Sequence, residues 1–278
     1  MRIAHFSDLH LCAEFGGRAQ AQAVLDTITD AINRGAEHFV FTGDMVEHAN
    51  LGHFEPILKG LKELEFTSSK HITIVPGNHD VVPVSAGSCN FSFTTTSSAR
   101  KKAWSLCRKY SEKDYRVWSN RDIPFVKKIA DHALIVGVDS NEYPSATTFR
   151  PASGLVTTAT MSRIEKVLDH DYYARVKRKV LAIHHPPIQL RRLQDSAFAP
   201  DWQLQNWEEV REFCKRVGFD VILSGHWHNS GSASLKHRIG EGRLILSASN
   251  MSRTKCEVVY TLIDLPARGS VRVRRVVS

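Results

Sequence analysis

Seven side chains of the kinds that bind metal ions recur along the chain, and each follows a short apolar run. They are Asp8, His10, Asp44, Asn78, His184, His226 and His228. The set combines carboxylate and amide oxygens with imidazole nitrogens and contains no thiolate. It therefore favours Mn, Fe, Zn or Co over Ca, which prefers all-oxygen sites. Seven ligands are too many for one ion, so the sequence predicts two metal ions.

The charges of this set suit a phosphate ester. Asp44 has two carboxylate oxygens and could bridge two ions about 3.5–4 Å apart, the spacing usual in two-metal hydrolases. Two divalent cations beside two aspartates leave a positive site, which a hydroxide and a phosphodiester anion would neutralise. Asn78 fits as a neutral ligand, because a third carboxylate would cancel the attraction for substrate. Metal-bound water has a pKa near ~7, so a hydroxide nucleophile is available at neutral pH.

The elements that must position these residues are short strands. Apolar runs typical of buried strands precede the candidate ligands, at 2–7, 39–42, 72–75, 180–183 and 221–224. Helical spacing at 21–32 completes a strand-helix-strand unit, and open α/β sheets bind ligands at the carboxyl ends of their strands. In extended backbone, residues two apart share a side, so Asp8 and His10 are expected to face one point. The same holds for His226 and His228.

The remaining pattern predicts an α/β fold. Helices are expected near 54–65, 160–170 and 207–217, and strands at 133–139, 243–248, 258–265 and 271–277. Both halves follow a β-α-β plan, which indicates a sandwich of two sheets. Stretches 81–122 and 187–206 interrupt the pattern. The first contains a run of threonine and serine residues at 94–98. Within it, 100–110 reads as an amphipathic helix with a solvated basic face, or alternatively as a patch for nucleic acid or membrane.

Composition sets the broad class. The chain has 278 residues, of which 42% are hydrophobic and 24% charged, as in ordinary globular proteins. No apolar stretch approaches the ~20 residues of a membrane span, and Asp8 comes too early for a signal peptide. The five cysteines form no Cys-x-x-Cys pair, which indicates reduced thiols and a cytoplasmic protein. The net charge of +8 suits an anionic substrate and equally suits simple solubility.

The five motifs, in this order, resemble the calcineurin-like metallophosphoesterase superfamily over roughly 1–249. The resemblance implies one domain over 1–278, built as a four-layer αββα sandwich of two mixed sheets flanked by helices. It places a dinuclear metal site at one sheet edge. The insertions at about 81–122 and 187–206 are expected to cap that site.

The resemblance also implies a role for each site residue. One metal would be held by Asp8, His10, Asp44 and His228, and the other by Asp44, Asn78, His184 and His226. The ions expected are Mn, Fe or Zn. His79 would face the substrate and protonate the leaving alkoxide or stabilise the transition state, and Asp80 would orient its imidazole. His185 is expected to be a neighbour of the ligand His184 and not a ligand itself.

Within the superfamily, the chain looks most similar to bacterial cyclic-nucleotide phosphodiesterases. The similar features are His184-His185-Pro186-Pro187 and Ser247-Ala248-Ser249, whereas Glu47 stands where an Asp is common. The implied activity is hydrolysis of a phosphodiester by a metal-bridging hydroxide, with a small cyclic nucleotide as first substrate. The alternatives are another diester or pyrophosphate (nucleic acid, a glycerophosphodiester or a nucleotide-linked lipid precursor) and a non-catalytic metal-binding scaffold. Nucleic acid is not favoured, because the sequence shows no continuous basic groove.

Overall fold

The computed structural model describes residues 1–13, 17–82, 93–110, 124–143, 152–189, 203–227, 238–246, 250–251 and 256–277. The strands within these residues are β1 (Arg2–Phe6), β2 (His38–Phe41), β3 (Ile72–Ile74), β4 (Phe125–Ala130), β5 (Ala133–Val138), β6 (Arg178–Ile183), β7 (Val221–Ser224), β8 (Arg238–Ile239), β9 (Gly242–Leu246), β10 (Asn250–Met251), β11 (Cys256–Glu257), β12 (Val259–Asp264) and β13 (Arg272–Val277). The helices are α1 (Gly17–Asn33), α2 (Glu55–Glu63), α3 (Asn78–Val81), α4 (Phe93–Tyr110), α5 (Thr158–Leu168), α6 (Asp171–Ala174) and α7 (Trp207–Val217), with a 3-10 turn at Leu51–Phe54.

The strands form two mixed sheets and one small antiparallel pair. The first sheet has the order β13-β12-β1-β2-β3, in which β1, β2 and β3 are parallel and β12 and β13 are antiparallel. The second has the order β4-β5-β6-β7-β9-β8, with a parallel centre and antiparallel edge strands β4 and β8. Strands β10 and β11 pair separately. Parallel strands bring their carboxyl ends to one edge of each sheet, which is where the candidate ligands follow.

The side chains of the second sheet alternate between two cores. On β5, Ala133 and Ile135 belong to the large core that also contains β1, β2 and β3, whereas Leu134 and Val136 pack with α5 and α7. Alternation of this kind means that the sheet is covered on both faces. Helices α1 and α2 contribute buried residues to the core of the first sheet. The fold is therefore the predicted α/β sandwich of two mixed sheets flanked by helices.

The structure differs from the sequence-based expectation at two elements, one inside the first insertion and one just after it. Strand β4 was not predicted, because its sequence contains two lysines. Lys127 is buried, and its ammonium donates to the carbonyls of Ser69, Ile72 and Tyr110 at 2.6–2.8 Å. Helix α4 also begins earlier than predicted, at Phe93, because the Ser/Thr run that was expected to interrupt the pattern is helical.

Helix α4 is amphipathic, as the sequence predicts. Lys101 and Lys102 are exposed, whereas Ala103 and Cys107 are buried. Stretches 83–92, 111–123 and 190–202 lie outside the described residues, so the capping role of the two insertions stays a prediction. Among the described helices, none combines the length and apolar character that crossing a membrane requires.

Candidate metal centre

The candidate ligands meet where the carboxyl ends of the two sheets approach each other. Asp8 follows β1, Asp44 follows β2 and Asn78 begins α3 after β3, while His184 and His226 follow β6 and β7. Hydrogen bonds join the two sheets at this point. The His226 amide donates to Asp8 Oδ1 at 2.9 Å, and His184 Nδ1 lies 2.7 Å from the Thr42 carbonyl oxygen.

Left-handed backbone, not extended backbone, presents the first pair of ligands. Asp8 has a φ of 55° and His10 a φ of 45°, and Asp44 and His226 also have positive φ. The expectation that extended alternation aligns Asp8 with His10 is therefore wrong. Instead, the amides of Asp8 and His10 donate to the carbonyls of Gly43 and Asp44 at 3.0 and 2.9 Å, which aligns the two loops. Non-glycine residues in this conformation carry strain, which proteins concentrate at functional sites.

Two glycines allow the loops to approach this closely. A Cβ atom on Gly77 would overlap the Asp44 carboxylate and would lie 2.8 Å from His184 Cε1. A Cβ atom on Gly225 would overlap the hydroxyl of Ser7 and the carboxylate of Asp8. Side chains at these positions would push the ligand loops apart, so the glycines before Asn78 and His226 are required sterically.

The polar atoms of six predicted ligands converge around Asp44 and Asn78. Asp44 Oδ2 lies 3.3 Å from His184 Nε2 and 3.9 Å from His10 Nε2. Asn78 Oδ1 lies 3.1 Å from both His184 Nε2 and His226 Nδ1. Atoms of Asp8, Asp44 and His184 lie within 4.8 Å of one another. The seventh predicted ligand, His228, lies outside the described residues.

In the rings of His184 and His10, the hydrogen bond made by Nδ1 shows that Nε2 is the nitrogen available to a cation. A carbonyl oxygen can only accept, so His184 Nδ1 must donate to Thr42. His10 Nδ1 likewise lies 2.6 Å from Glu47 Oε2 and donates to it. In the neutral rings, Nε2 therefore directs a lone pair toward the Asp44 carboxylate. Lone pairs facing a carboxylate repel unless a proton or a metal ion lies between them, so a metal ion that displaces the proton fits this arrangement.

The charges of the protein itself also favour a cation beside Asp44. Burial disfavours charge on His10, yet the hydrogen bond to Glu47 and the charges of Asp44 and Asp8 raise the pKa of His10 to about 9. His184 is buried too, and Asp44 raises its pKa to about 9. Burial would raise the pKa of Asp44, but the surrounding imidazoles hold it well below its usual range. The carboxylate thus stays ionised and attracts positive charge.

His79 lies beside this cluster and keeps part of its surface open. Its side chain is 29% exposed, unlike the fully buried His184. Its Nδ1 lies 3.0 Å from the Glu47 carbonyl oxygen and 3.4 Å from Glu47 Oε1. Its backbone amide donates to Asp44 Oδ1 at 2.8 Å. The imidazole of His79 is therefore partly open to solvent beside the buried cluster.

The expected partner of His79 is corrected by the structure. Asp80 is buried and accepts the amides of Met45, Val46 and Gly77 at 2.8–3.1 Å, so its carboxylate closes the loop at the start of α3. Burial and the charge of Asp44 raise the pKa of Asp80 to about 7. The carboxylate beside the His79 imidazole is that of Glu47, which also binds His10. The sequence signal for it was its position three residues after Asp44, where the chain departs from the Asp common in similar proteins.

His185 is buried against the other side of the cluster. Its Nδ1 lies 2.7 Å from Ser140 Oγ, and its ring centroid lies 4.3 Å from that of His226. Burial and the neighbouring imidazoles keep its pKa well below the ordinary value. His184 points its Nε2 at Asp44. Ligand atoms of His184, His185 and His226 also lie within 4.8 Å of one another, so the role of His185 as a neighbour and not a ligand stays a prediction.

Several solved structures share this fold at low sequence identity. A dimetal phosphatase from Danio rerio is 12% identical, with a TM-score of 0.59 over 100% of this chain and 98% of its own. A 5'-nucleotidase precursor from Thermus thermophilus is 15% identical, with a TM-score of 0.50 over 100% of this chain and 54% of its own. Purple acid phosphatase PPD1 from yellow lupin is 12% identical, with a TM-score of 0.51 over 95% of this chain and 49% of its own. At these identities the likeness concerns the fold.

A comparison with curated proteins found no match to this chain. The sequence model of the calcineurin-like phosphoesterases, in contrast, matches residues 1–230 and so includes every candidate ligand. The match covers far more than half of the 278 residues. The chain therefore belongs to the calcineurin-like phosphoesterase family.

Proposed function

We propose that this protein is a metal-dependent phosphodiester hydrolase of the cytoplasm that acts on a small-molecule phosphoester. Members of its family are hydrolases of phosphoesters and use a dinuclear metal centre. The single observation that carries the proposal is the convergence of His10 Nε2 and His184 Nε2 on one oxygen of Asp44. A scaffold that had lost catalysis would have no need to keep this arrangement together with His79.

Two ions, of Mn, Fe or Zn, are proposed for the cluster. Asp8, His10, Asp44 and His228 would hold one, and Asp44, Asn78, His184 and His226 the other. When bound, such ions would neutralise phosphate charge and lower the pKa of a water molecule to near ~7. The chain contributes the geometry: Thr42 and Glu47 fix the orientation of two ligand rings, and Asn78 adds an oxygen without adding negative charge.

His79 is proposed to act on the leaving group. Its Nδ1 donates to the Glu47 carbonyl, so Nε2 is the nitrogen left for substrate. The Glu47 carboxylate lies 3.4 Å from the same Nδ1 and helps to fix the orientation of the ring. A proton at Nε2 can then pass to the leaving oxygen as the bond to phosphorus breaks. A diester is proposed ahead of a monoester because its single negative charge, together with a hydroxide, would neutralise two divalent ions beside two aspartates.

Within this class, a cyclic nucleotide is the first proposed substrate, on the resemblance of the motifs to bacterial cyclic-nucleotide phosphodiesterases. Another phosphodiester or a pyrophosphate is the second candidate. The same cluster would serve these substrates, since all of them present an anionic phosphorus centre and one leaving oxygen.

The test compares hydrolysis of an aryl phosphodiester and of the matching monoester, with and without Mn²⁺. Asp44→Asn is the blank, and Asp264→Asn, which removes the partner of Arg2 on β12, is the matched control. We expect Mn-dependent diester hydrolysis by the wild type and the control, and none by Asp44→Asn. A preference for the monoester would refute the diester proposal. Absence of turnover with either ester in metal-loaded protein would favour the scaffold.

A further inference from the structure

A second buried carboxylate lies next to the candidate centre and is not among its ligands. Asp139 directly follows β5 and is 1% exposed. Its Oδ2 accepts from Arg100 Nε at 2.9 Å and from Trp104 Nε1 at 2.5 Å, both on α4. Its Oδ1 accepts from the amide and the side-chain Nδ2 of Asn141 at 2.8 and 2.9 Å. One carboxylate thus binds a helix with one oxygen and a loop with the other.

The loop side of this network reaches the residues before Asn78. Asn141 Nδ2, which binds Asp139, also lies 3.2 Å from the Pro76 carbonyl oxygen. Pro76 starts the turn that leads through Gly77 into α3, whose first residues are Asn78 and His79. Asp139 is therefore two hydrogen bonds away from the backbone that carries a proposed ligand and the proposed acid.

The helix side reaches the same residues by packing. Ala103 of α4 forms a buried cluster with Val81 and Val82 at the end of α3. The other end of α4 is anchored elsewhere, since the Tyr110 carbonyl accepts from Lys127 of β4. The part of α4 that packs on α3 is its middle, which also carries Arg100 and Trp104. Its position over α3 therefore depends on Asp139.

The contacts around Asp139 depend on its negative charge. Arg100 is largely buried beside Asp139 and stacks on Trp104, with its guanidinium 4.5 Å from the ring centroid. A neutral residue at position 139 would leave a guanidinium without its counter-charge in a dry environment, which displaces the charged group or its element. Because α4 and the Pro76 turn share this one anchor, both would move.

We propose that Asp139 is a positioning residue, which fixes α4 and the turn at Pro76 and thereby the placement of Asn78 and His79. This inference rests on the proposed function, because it concerns the same centre. Residues hydrogen-bonded directly to metal ligands typically change metal affinity or activity about 10–100-fold when they are replaced. Asp139 acts through Asn141 and the Pro76 turn, so the lower end of this range is expected. An ion pair that only stabilises the fold would lower the melting temperature and leave metal affinity and kcat unchanged.

The test uses Asp139→Asn, with Asp220→Asn as the matched control. Asp220 also accepts from an arginine and a backbone amide (Arg178 Nη1 at 2.6 Å and the Lys179 amide at 2.9 Å), but at the amino ends of β6 and β7. The measurements are Mn²⁺ affinity by isothermal titration calorimetry, melting temperature, and kcat and KM on the aryl diester. For Asp139→Asn we expect about 10-fold weaker Mn²⁺ binding or more, and a similar loss of kcat with little change in KM. Asp220→Asn is expected to lose thermal stability alone.

Wild-type Mn²⁺ affinity and kcat in Asp139→Asn, with only a lower melting temperature, would overturn the inference. If this variant does not fold, Asn141→Ala keeps the Arg100–Asp139 pair and removes the bond to Pro76. Reduced Mn²⁺ affinity in Asn141→Ala supports the inference, and unchanged affinity and kcat overturn it. Failure of the wild-type chain itself to bind Mn²⁺ would instead overturn the proposed function, and this inference with it.

Discussion

Metal binding to this protein should depend steeply on pH, because protons and metal ions compete for the Nε2 atoms of His10 and His184. His10 and His184 each have a pKa raised to about 9, by Glu47 and the aspartates for the first and by Asp44 for the second. At pH 7 both rings carry a proton on the nitrogen that faces Asp44. A metal ion can bind only after these protons leave.

The size of the effect follows from the number of protons displaced. Below its pKa, each proton that must leave lowers the apparent affinity by a factor of about ten per pH unit. With two rings, raising the pH from 7 to 8 should increase the apparent Mn²⁺ affinity up to about 100-fold. The increase should level off near pH 9, where the rings lose their protons without help from the metal.

The assay is isothermal titration calorimetry in buffers of different ionisation enthalpy, which counts the protons released on binding. Wild-type protein should release at least two protons at pH 7, two from the rings and a further fraction from metal-bound water. Glu47→Gln is the informative variant, because the Glu47 carboxylate raises the pKa of His10 and does not contact His184. It should release fewer protons and show a shallower pH dependence. Asp264→Asn, far from the centre, should behave as the wild type.

Metal affinity that is independent of pH between 7 and 8, with no proton release, would refute this reasoning. It would mean that the rings are neutral before metal binds, and that Glu47 and Asp44 do not polarise them as their contacts indicate. A wild-type result in Glu47→Gln alone would show that the carboxylate at 2.6 Å is not the cause of the raised pKa of His10.

Three further predictions concern the same centre. His79→Ala should keep Mn²⁺ affinity and lose about 100- to 10,000-fold in kcat, because general acid catalysis is removed; full activity would exclude His79 as the acid. Gly225→Ala should weaken Mn²⁺ binding, because its Cβ would overlap Asp8. The control is Gly218→Ala, at a φ of 69° with open space around it, which should lose only about 1–2 kcal/mol of stability. Equal Mn²⁺ affinity in the two variants would contradict the steric argument. In metal-free protein, the raised pKa values of His10 and His184 add stability that is complete below pH ~6.5 and is lost as the pH rises through about 9; a melting temperature that rises over this window would contradict both shifts.

The parts of the site that the sequence predicted are those with a local signal. A β-branched run followed by Gly and a polar residue marks the end of a buried strand, and this pattern located Asp44, Asn78 and His226 correctly at strand ends. Parallel pairing then brings such ends together without further information. The pattern could not predict the positive φ of Asp8 and His10, because that conformation is imposed by the hydrogen bonds of their amides to the neighbouring loop.

The partner of His79 shows why adjacency in sequence misleads. Asp80 is the next residue, yet its carboxylate accepts the Gly77 amide at the start of α3 and the amides of Met45 and Val46 in the loop after β2. Glu47 is distant in sequence and reaches the imidazole because the loop after β2 crosses the start of α3, where the Ala49 amide donates to the His79 carbonyl. The carboxylate that contacts His79 is therefore determined by where the loop after β2 crosses α3. The residues next to His79 in sequence do not indicate this crossing.

Buried charged residues are the feature of this structure that the sequence pattern predicts least well. Lysine and aspartate are the residues expected at the surface, so the sequence pattern indicates neither that β4 is a strand nor that Asp139 is buried. In the structure, each binds several groups from separate elements: Lys127 holds the carboxyl end of α4, and Asp139 holds its middle and the turn at Pro76. A charge is stable inside a protein only when its partners surround it. Each of these residues therefore fixes the relative position of the elements it joins, and Asp139 does so beside the residues proposed for catalysis.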